Sequence, residues 1–286
     1  MKEISSLQNP LVKKVLQLKD KGRLRKETGL FVIEGIQEVD LALEAGYRFS
    51  HLFFREDTSP KEDLIQRSQA EELIRVSDKV YAKLAHRGST EGLIGLAYAQ
   101  SHRLEDLKLP GENPLVLIAE APEKPGNIGA LLRTARAAGV DAVCIANPRS
   151  DLYHPNIIRS SVGCLFGLPI ALASSTEALE FLEKKNIGIY AAALEGSISY
   201  LEADYTGACA LVVGTESTGL GEEWLAESHT VVRIPMKDRI DSLNVSVATG
   251  ILIYEALRQR TMSRLPIYQS CFSEIFRTIP CLVYTH

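Results

Sequence analysis

PLVLIAEAPEKPGNIGALLRTARAAGVDAVCIANP, residues 114–148, decides the fold class. It opens on a continuous apolar run, Leu115–Ala119, and closes near another, Ala142–Ala146. Short apolar runs without polar alternation mark strands that helices cover on both faces. Between them Ile128, Leu131, Leu132 and Ala135 keep the i, i+3, i+4, i+7 spacing of a one-sided helix, drawn here over Gly129–Ala138. Arg133 and Arg136 fall off that apolar face, toward a partner or solvent. The glycine-bearing start leaves N–H groups free and suits an anion. An ordinary amphipathic helix with surface arginines has the same pattern.

Outward from this unit the alternation continues. Strands are expected at Ile187–Ala192, Ala210–Val213 and Val231–Ile234, and helices at Ile157–Cys164, Glu177–Lys185 and Leu243–Arg260. Upstream, SHRLEDLKLPGEN (101–113) has the polar, Pro- and Gly-bearing composition of a linker. Before it a second series runs: helix Pro10–Lys19, strand Leu30–Glu34, helix Ile36–Ala45, strand His51–Phe54, helix Lys61–Ala70 and strand Leu73–Val76. A helix with Ser77 as N-cap, running to His86, and a strand Leu93–Tyr98 complete it. The fold class is therefore α/β in two domains. Residues 1–103 form a small one, 104–113 the linker, 114–260 the second domain and 261–286 a tail without an assigned role.

The 286 residues are 45% apolar and 24% charged, a globular balance. No run approaches the roughly 20 apolar residues of a membrane helix, and MKEISSLQNP lacks a signal region. Cys144, Cys164, Cys209, Cys271 and Cys281 are scattered, odd in number and without a CxxC pair. That pattern argues against a disulfide framework or zinc site and for a reducing, cytoplasmic setting. The net charge of −4 does not announce a nucleic-acid binder. Its distribution does more. Residues 1–30 hold eight basic side chains, among them Lys13, Lys14, Arg23 and Arg25, against three acidic ones, a local +5. Either a solvated helix face or an arm that tracks phosphates has this composition.

Two further glycine-bearing or polar turns stand where open α/β sheets bind ligands, at strand ends. In LVVGTESTGLG (211–221) a buried strand runs into three glycines around Glu216, permitting close approach to a ligand. In RIPMKDRIDSLNVSVATGILIYEAL (233–257) a strand ends at IPM, and Ser242 and Asn244 precede a mostly apolar helix. Ser242 equally suits a plain N-cap. The GxGxxG dinucleotide loop is absent, which disfavours a nucleotide-dependent metabolic enzyme.

Taken together and in this order, NIGALLRTA (127–135), GTESTGL (214–220), IPM (234–236) and SLNVSVA (242–248) resemble the three signature motifs of the SpoU family of the SPOUT superfamily. DLYHPNIIRSSVG (151–163) is similar to the family's stretch between the first two motifs. Residues 1–103, with FVIEG (31–35), resemble its substrate-binding module of ribosomal-protein L30e type. The resemblance covers about residues 3–260. It implies a trefoil-knotted methyltransferase domain, a homodimer with active sites at its interface, and transfer of a methyl group from S-adenosylmethionine (AdoMet) to a ribose 2′-hydroxyl of structured RNA. Ribosomal RNA is expected over transfer RNA. A transfer-RNA enzyme and a non-catalytic RNA-binding protein of the same fold are the alternatives. AdoMet would be held near Gly214, Ile234, Met236 and Leu243, and the acceptor side shaped by Asn127, Arg133, Glu216, Ser242 and Asn244. RNA contacts are assigned to Lys13, Lys14, Arg23, Arg25, Arg136 and Arg159. Displacement at a sulfonium needs no metal, and no membrane partner is expected. The family's candidate base is Arg133. A guanidinium stays protonated in proteins, so a phosphate grip that also stabilises charge on the 2′-oxygen suits it better. Asp238, where the family often has glycine, and Asn156, where it commonly has lysine, depart from the pattern.

Overall fold

The computed structural model describes residues 2–55, 57, 62–86, 91–215, 218–237 and 242–263. Glu216, Asp238 and nearly all of the tail, from residue 264, lie outside these.

The first half comprises β1 (Lys2–Ile4), α1 (Pro10–Asp20), α2 (Gly22–Thr28), β2 (Leu30–Glu34), α3 (Ile36–Glu44), β3 (Phe49–Arg55), α4 (Glu62–Ser68), β4 (Glu72–Val76), α5 (Asp78–Leu84) and β5 (Leu93–Tyr98). They form one sheet, ordered β1-β4-β3-β5-β2, in which β5 runs antiparallel to both its neighbours. The second half comprises β6 (Leu115–Glu120), α6 (Pro125–Ala138), β7 (Ala142–Ala146), α7 (Pro155–Ser160), β8 (Ile170–Ala173), α8 (Ser175–Lys184), β9 (Gly188–Ala192), β10 (Ile198–Ser199), β11 (Cys209–Val213), α9 (Glu222–Ala226), β12 (Thr230–Arg233) and α10 (Val245–Ser263). Its sheet is parallel throughout, ordered β10-β12-β9-β11-β6-β7-β8. The chain thus passes from one side of β9 to the other between β11 and β12.

The alternation of strand side chains explains how two sheets make one body. Along β2, Phe31 and Ile33 enter the large core while Leu30 and Val32 enter the cluster beneath α1 and α5. Along β6, Leu115, Leu117 and Ala119 face the same large core, whereas Val116 and Ile118 pack under α8. One apolar core therefore runs from the first sheet to the second. The connecting stretch is packed too: Leu104, Leu107 and Leu109 lie against the α8 side, and the His102 carbonyl accepts from Leu172 N at 2.7 Å.

At the junction Tyr153 is the hub. Its ring stacks on Phe31 with centroids 4.0 Å apart. Its hydroxyl lies 3.1 Å from Tyr47 Oη and 2.7 Å from His102 Nε2, and accepts from Gln100 N at 3.0 Å. His102 Nδ1 faces the Ile170 carbonyl, an obligate acceptor, so Nδ1 carries the proton and Nε2 accepts from Tyr153. Burial lowers the pKa of His102 and raises that of Tyr153.

Local chemistry moved two expected boundaries. Pro125 starts α6 four residues earlier than the apolar pattern, since a first-turn proline loses no hydrogen bond. The next helix stops at Ser160, where Val162 and Gly163 turn left-handed, and Cys164–Gly167 winds into a separate 3-10 turn. Ser77 occupies the N-cap position of α5, yet its buried Oγ makes no hydrogen bond.

Candidate active site

The C-terminal ends of β9, β11 and β12 surround a cavity of about 480 Å³, within the range of small-ligand sites. Its wall is mainly apolar, with Leu220, Leu225 and Leu252 prominent. Gly214, Ile234, Met236 and Leu243, the four residues expected to hold AdoMet, all line it, as does Ser242. Close backbone approach explains the glycine of the second motif. A Cβ on Gly214 would overlap the carbonyl of Gly219, which itself sits at φ 68°. Thr215 and Gly219 exchange both backbone hydrogen bonds at 3.1 Å, closing the turn on itself.

A second cavity, about 250 Å³, abuts the first and is lined by Pro122, Glu123, Lys124, Asn127, Gly214, Thr215 and Val245. Gly214, Thr215 and Val245 thus form a wall common to both. Asn127 comes from the first turn of α6. Asn244 Nδ2 donates to its Oδ1 at 3.2 Å, so motifs one and three meet here. Asn244 Oδ1 accepts from Ser246 N at 3.0 Å, which makes Asn244 the cap of α10 and frees Ser242 from that role.

Arg133 lies elsewhere. It is exposed on α6, lines neither cavity, and makes no hydrogen bond or ion pair among the described residues. α10, which packs on α6, carries exposed apolar side chains, Val247 at 51% and Tyr254 at 54%. Leu252 and Ile253 of the same mostly apolar helix are buried.

The six expected RNA contacts separate. Lys13 and Arg23 are exposed, Lys14 is half-buried, and Arg23 pairs with Glu27 along its own helix at 2.6 Å. Arg25 is a correction: it is 4% exposed, its Nε sits 2.5 Å from Asp151 Oδ2, and it donates to the carbonyls of Leu18 and Lys19. A buried guanidinium bound on three sides ties the two halves together and meets no phosphate. Arg136 donates to the Gly167 carbonyl and Arg159 to Asn156 Oδ1, both from exposed positions. Sequence reading passed over Glu120, which ends the apolar run LVLIAE, is buried, and accepts from Gly221 N at the end of the glycine turn. A lone carboxylate closing such a run was the available signal.

Burial pushes the thiol of Cys144 up to about 12 and that of Cys209 to about 11, so both are packing groups. Among the described residues no helix is long and apolar enough to cross a membrane, and no three His, Cys, Asp or Glu side chains cluster as metal ligands.

Parallel strands ending in a glycine turn thus frame a small-ligand cavity with a second recess, lined by Asn127, adjoining it. Residues 114–254 match the SpoU rRNA Methylase family and residues 9–95 the MRM3-like substrate binding domain. The 23S rRNA (guanosine-2′-O-)-methyltransferase RlmB of Xylella fastidiosa is 32% identical over 225 residues, 78% of this chain and 89% of the relative. The 23S rRNA guanosine 2′-O-methyltransferase RlmP of Bacillus subtilis is 28% identical, over 89% of this chain and 98% of that one. The crystal structure of the AdoMet-bound rRNA methyltransferase from Sinorhizobium meliloti superposes with a TM-score of 0.83 at 30% identity, over 90% of this chain and 97% of the other. The chain belongs to the SpoU rRNA methylase family.

Proposed function

We propose that this protein methylates a ribose 2′-hydroxyl of ribosomal RNA, with AdoMet as methyl donor. The observation that carries the reading is the wall of Gly214, Thr215 and Val245 common to two cavities, one gathering Gly214, Ile234, Met236 and Leu243 and the other lined by Asn127. The first of these fits AdoMet by its volume and by the backbone edge that only glycine at 214 leaves open. Bound there, AdoMet supplies an electrophilic methyl group on a sulfonium, and the reaction calls for no metal. Gly214, Ile234, Met236 and Leu243 hold the donor; Asn127, Ser242 and Asn244 orient the RNA by neutral hydrogen bonds, with Glu216 assigned to the same side. In-line placement of donor and hydroxyl is the protein's main task. The guanidinium of Arg133 grips phosphate and stabilises the charge that develops on the 2′-oxygen.

Arg133 is not among the wall residues of its own chain's cavities, and Val247 and Tyr254 lie exposed on α10, the helix that packs on α6. Both features support a homodimer in which a second copy supplies Arg133 to the site. The segment from β12 into α10 is assigned the threaded path of a trefoil knot, a topology that chain physics alone does not favour. Residues 1–103 are assigned RNA choice and 114–260 the chemistry, with 104–113 joining them. The names of both rRNA-modifying relatives support ribosomal RNA, and hence a cytoplasmic place of action. Calorimetry with AdoMet, followed by competition between ribosomal and transfer RNA in a methyl-transfer assay, tests this. The reading expects AdoMet heat in the absence of RNA and preferential labelling of ribosomal RNA. A folded protein that binds no AdoMet overturns it.

A further inference from the structure

Glu120 ends the interior strand β6 with its side chain 7% exposed and no ion pair among the described residues. The other buried glutamate, Glu255, is held by Arg258 at 2.7 Å. An unpaired carboxylate is costly to bury unless hydrogen bonds replace its water. Here two do. Gly221 N donates to Oε2 at 2.8 Å and Ser175 Oγ to Oε1 at 3.1 Å. Ser175 Oγ in turn accepts from Trp224 Nε1 at 3.0 Å and from Asn147 Nδ2 at 2.8 Å. That hydroxyl has one proton and two lone pairs, all of which are used. The network joins the ends of β6 and β7, the start of α8, and the turn between β11 and α9.

Within 214–221, Thr215 and Gly219 pair through their backbones and the hydroxyls of Thr215 and Thr218 lie 2.7 Å apart, while the Glu120 bond ties Gly221 to the end of β6. Thr215, Thr218, Gly219 and Leu220 are wall residues of the donor cavity, and Gly221 follows directly. We propose that Glu120 is a positioning residue for methyl transfer: through Gly221 N–H it fixes the glycine turn against the end of β6, at the height where that turn meets the donor. It touches neither donor nor RNA. The proposal rests on the methyl-donor reading above.

Glu120→Gln keeps the size of the side chain. It weakens the bond to Gly221 and leaves the Ser175 proton, which has no other partner, facing an amide. The dissociation constant for AdoMet should rise about tenfold, the weight of a charge-assisted hydrogen bond. Affinity for RNA should stay within about twofold, and the thermal midpoint near that of the unmodified protein. Trp224 is the sole tryptophan and fully buried, so tryptophan emission reports the surroundings of this one residue, which donates to Ser175 Oγ. On the unmodified protein, AdoMet should shift that emission with the constant found by calorimetry, a result that needs no variant to fold. Absence of AdoMet binding by the unmodified protein removes the functional reading itself. Binding with an indifferent Trp224 emission, or a Glu120→Gln variant with unchanged AdoMet affinity, overturns the positioning role and leaves that reading standing. So does a variant whose AdoMet and RNA affinities fall together with its thermal midpoint, which marks a purely structural carboxylate.

Discussion

Asn244 Nδ2 donates to Asn127 Oδ1 at 3.2 Å, although 117 residues separate the two in sequence. One asparagine thus does two jobs, since its Oδ1 also caps α10 through Ser246 N. Substitution separates them. Asn244→Ala should lose the cap, about 1 kcal/mol of stability, together with turnover. Asn244→Asp keeps an acceptor for the cap but loses the donor facing Asn127. It should unfold near the unmodified protein's temperature and still turn over at least about tenfold more slowly, the loss of a directed hydrogen bond. Full turnover in Asn244→Asp would remove this contact from the mechanism.

Arg25 and Asp151 make the complementary case, a contact that serves the fold. Arg25→Ala leaves Asp151 without its partner beneath the junction, and breaking a buried pair costs about 3–5 kcal/mol. Thermal unfolding should show the drop. Lys13, Lys14 and Arg23, neutralised together, should instead spare stability and flatten the salt dependence of RNA binding by up to about three units of slope. An unchanged slope returns these three to a solvated helix face.

Arg133→Ala should abolish turnover with AdoMet affinity nearly unchanged, because the residue is not among the donor cavity's wall residues. If a second copy supplies it, mixing Arg133→Ala with a variant unable to bind AdoMet should restore activity. One of the two sites in a mixed dimer would then be intact. No restoration after proven subunit exchange would put Arg133 and the donor on one chain. Val247, exposed on the single chain, would be covered in the proposed dimer, so Val247→Glu should yield monomers in sedimentation because the dimer would bury an unpaired charge. A monomeric unmodified protein contradicts the dimer.

His102 gives a pH dependence of stability. Burial lowers its folded pKa from 6.5, so in acid the unfolded chain takes up the proton first. Its contribution is fully present above about pH 6.5 and is lost as pH falls from there through the folded value. Unfolding midpoints should drop over this window, and His102→Gln should flatten the curve. Equal curves would assign the acid sensitivity elsewhere.

Much of this architecture was legible because it rests on local pattern. The runs behind β6, β7 and β11 are apolar on both faces because two cores flank them. Gly214, Ile234, Met236 and Leu243 were readable as a set through motif resemblance, and one cavity gathers them. Short or context-made elements were not legible. β1 has three residues and exists through pairing with β4. α2 and α9 are seven and five residues long, too short for a clear helical period. The burial of Arg25 depends on an aspartate 126 positions away, which no local charge count registers. The function of Ser175 and Trp224 likewise appears only when three loops meet.

The position of the transferred methyl group tests the central claim most directly. Purified protein, methyl-labelled AdoMet and unmodified ribosomal RNA are incubated, and the product is hydrolysed with alkali. Cleavage needs a free 2′-hydroxyl, so a 2′-O-methyl nucleotide survives within an uncut dinucleotide. The account predicts that the label resides in that alkali-resistant dinucleotide, and that Asn127→Ala and Arg133→Ala abolish it. Label released with mononucleotides would place the methyl group on a base and contradict the account. So would no transfer at all by a folded protein that binds AdoMet.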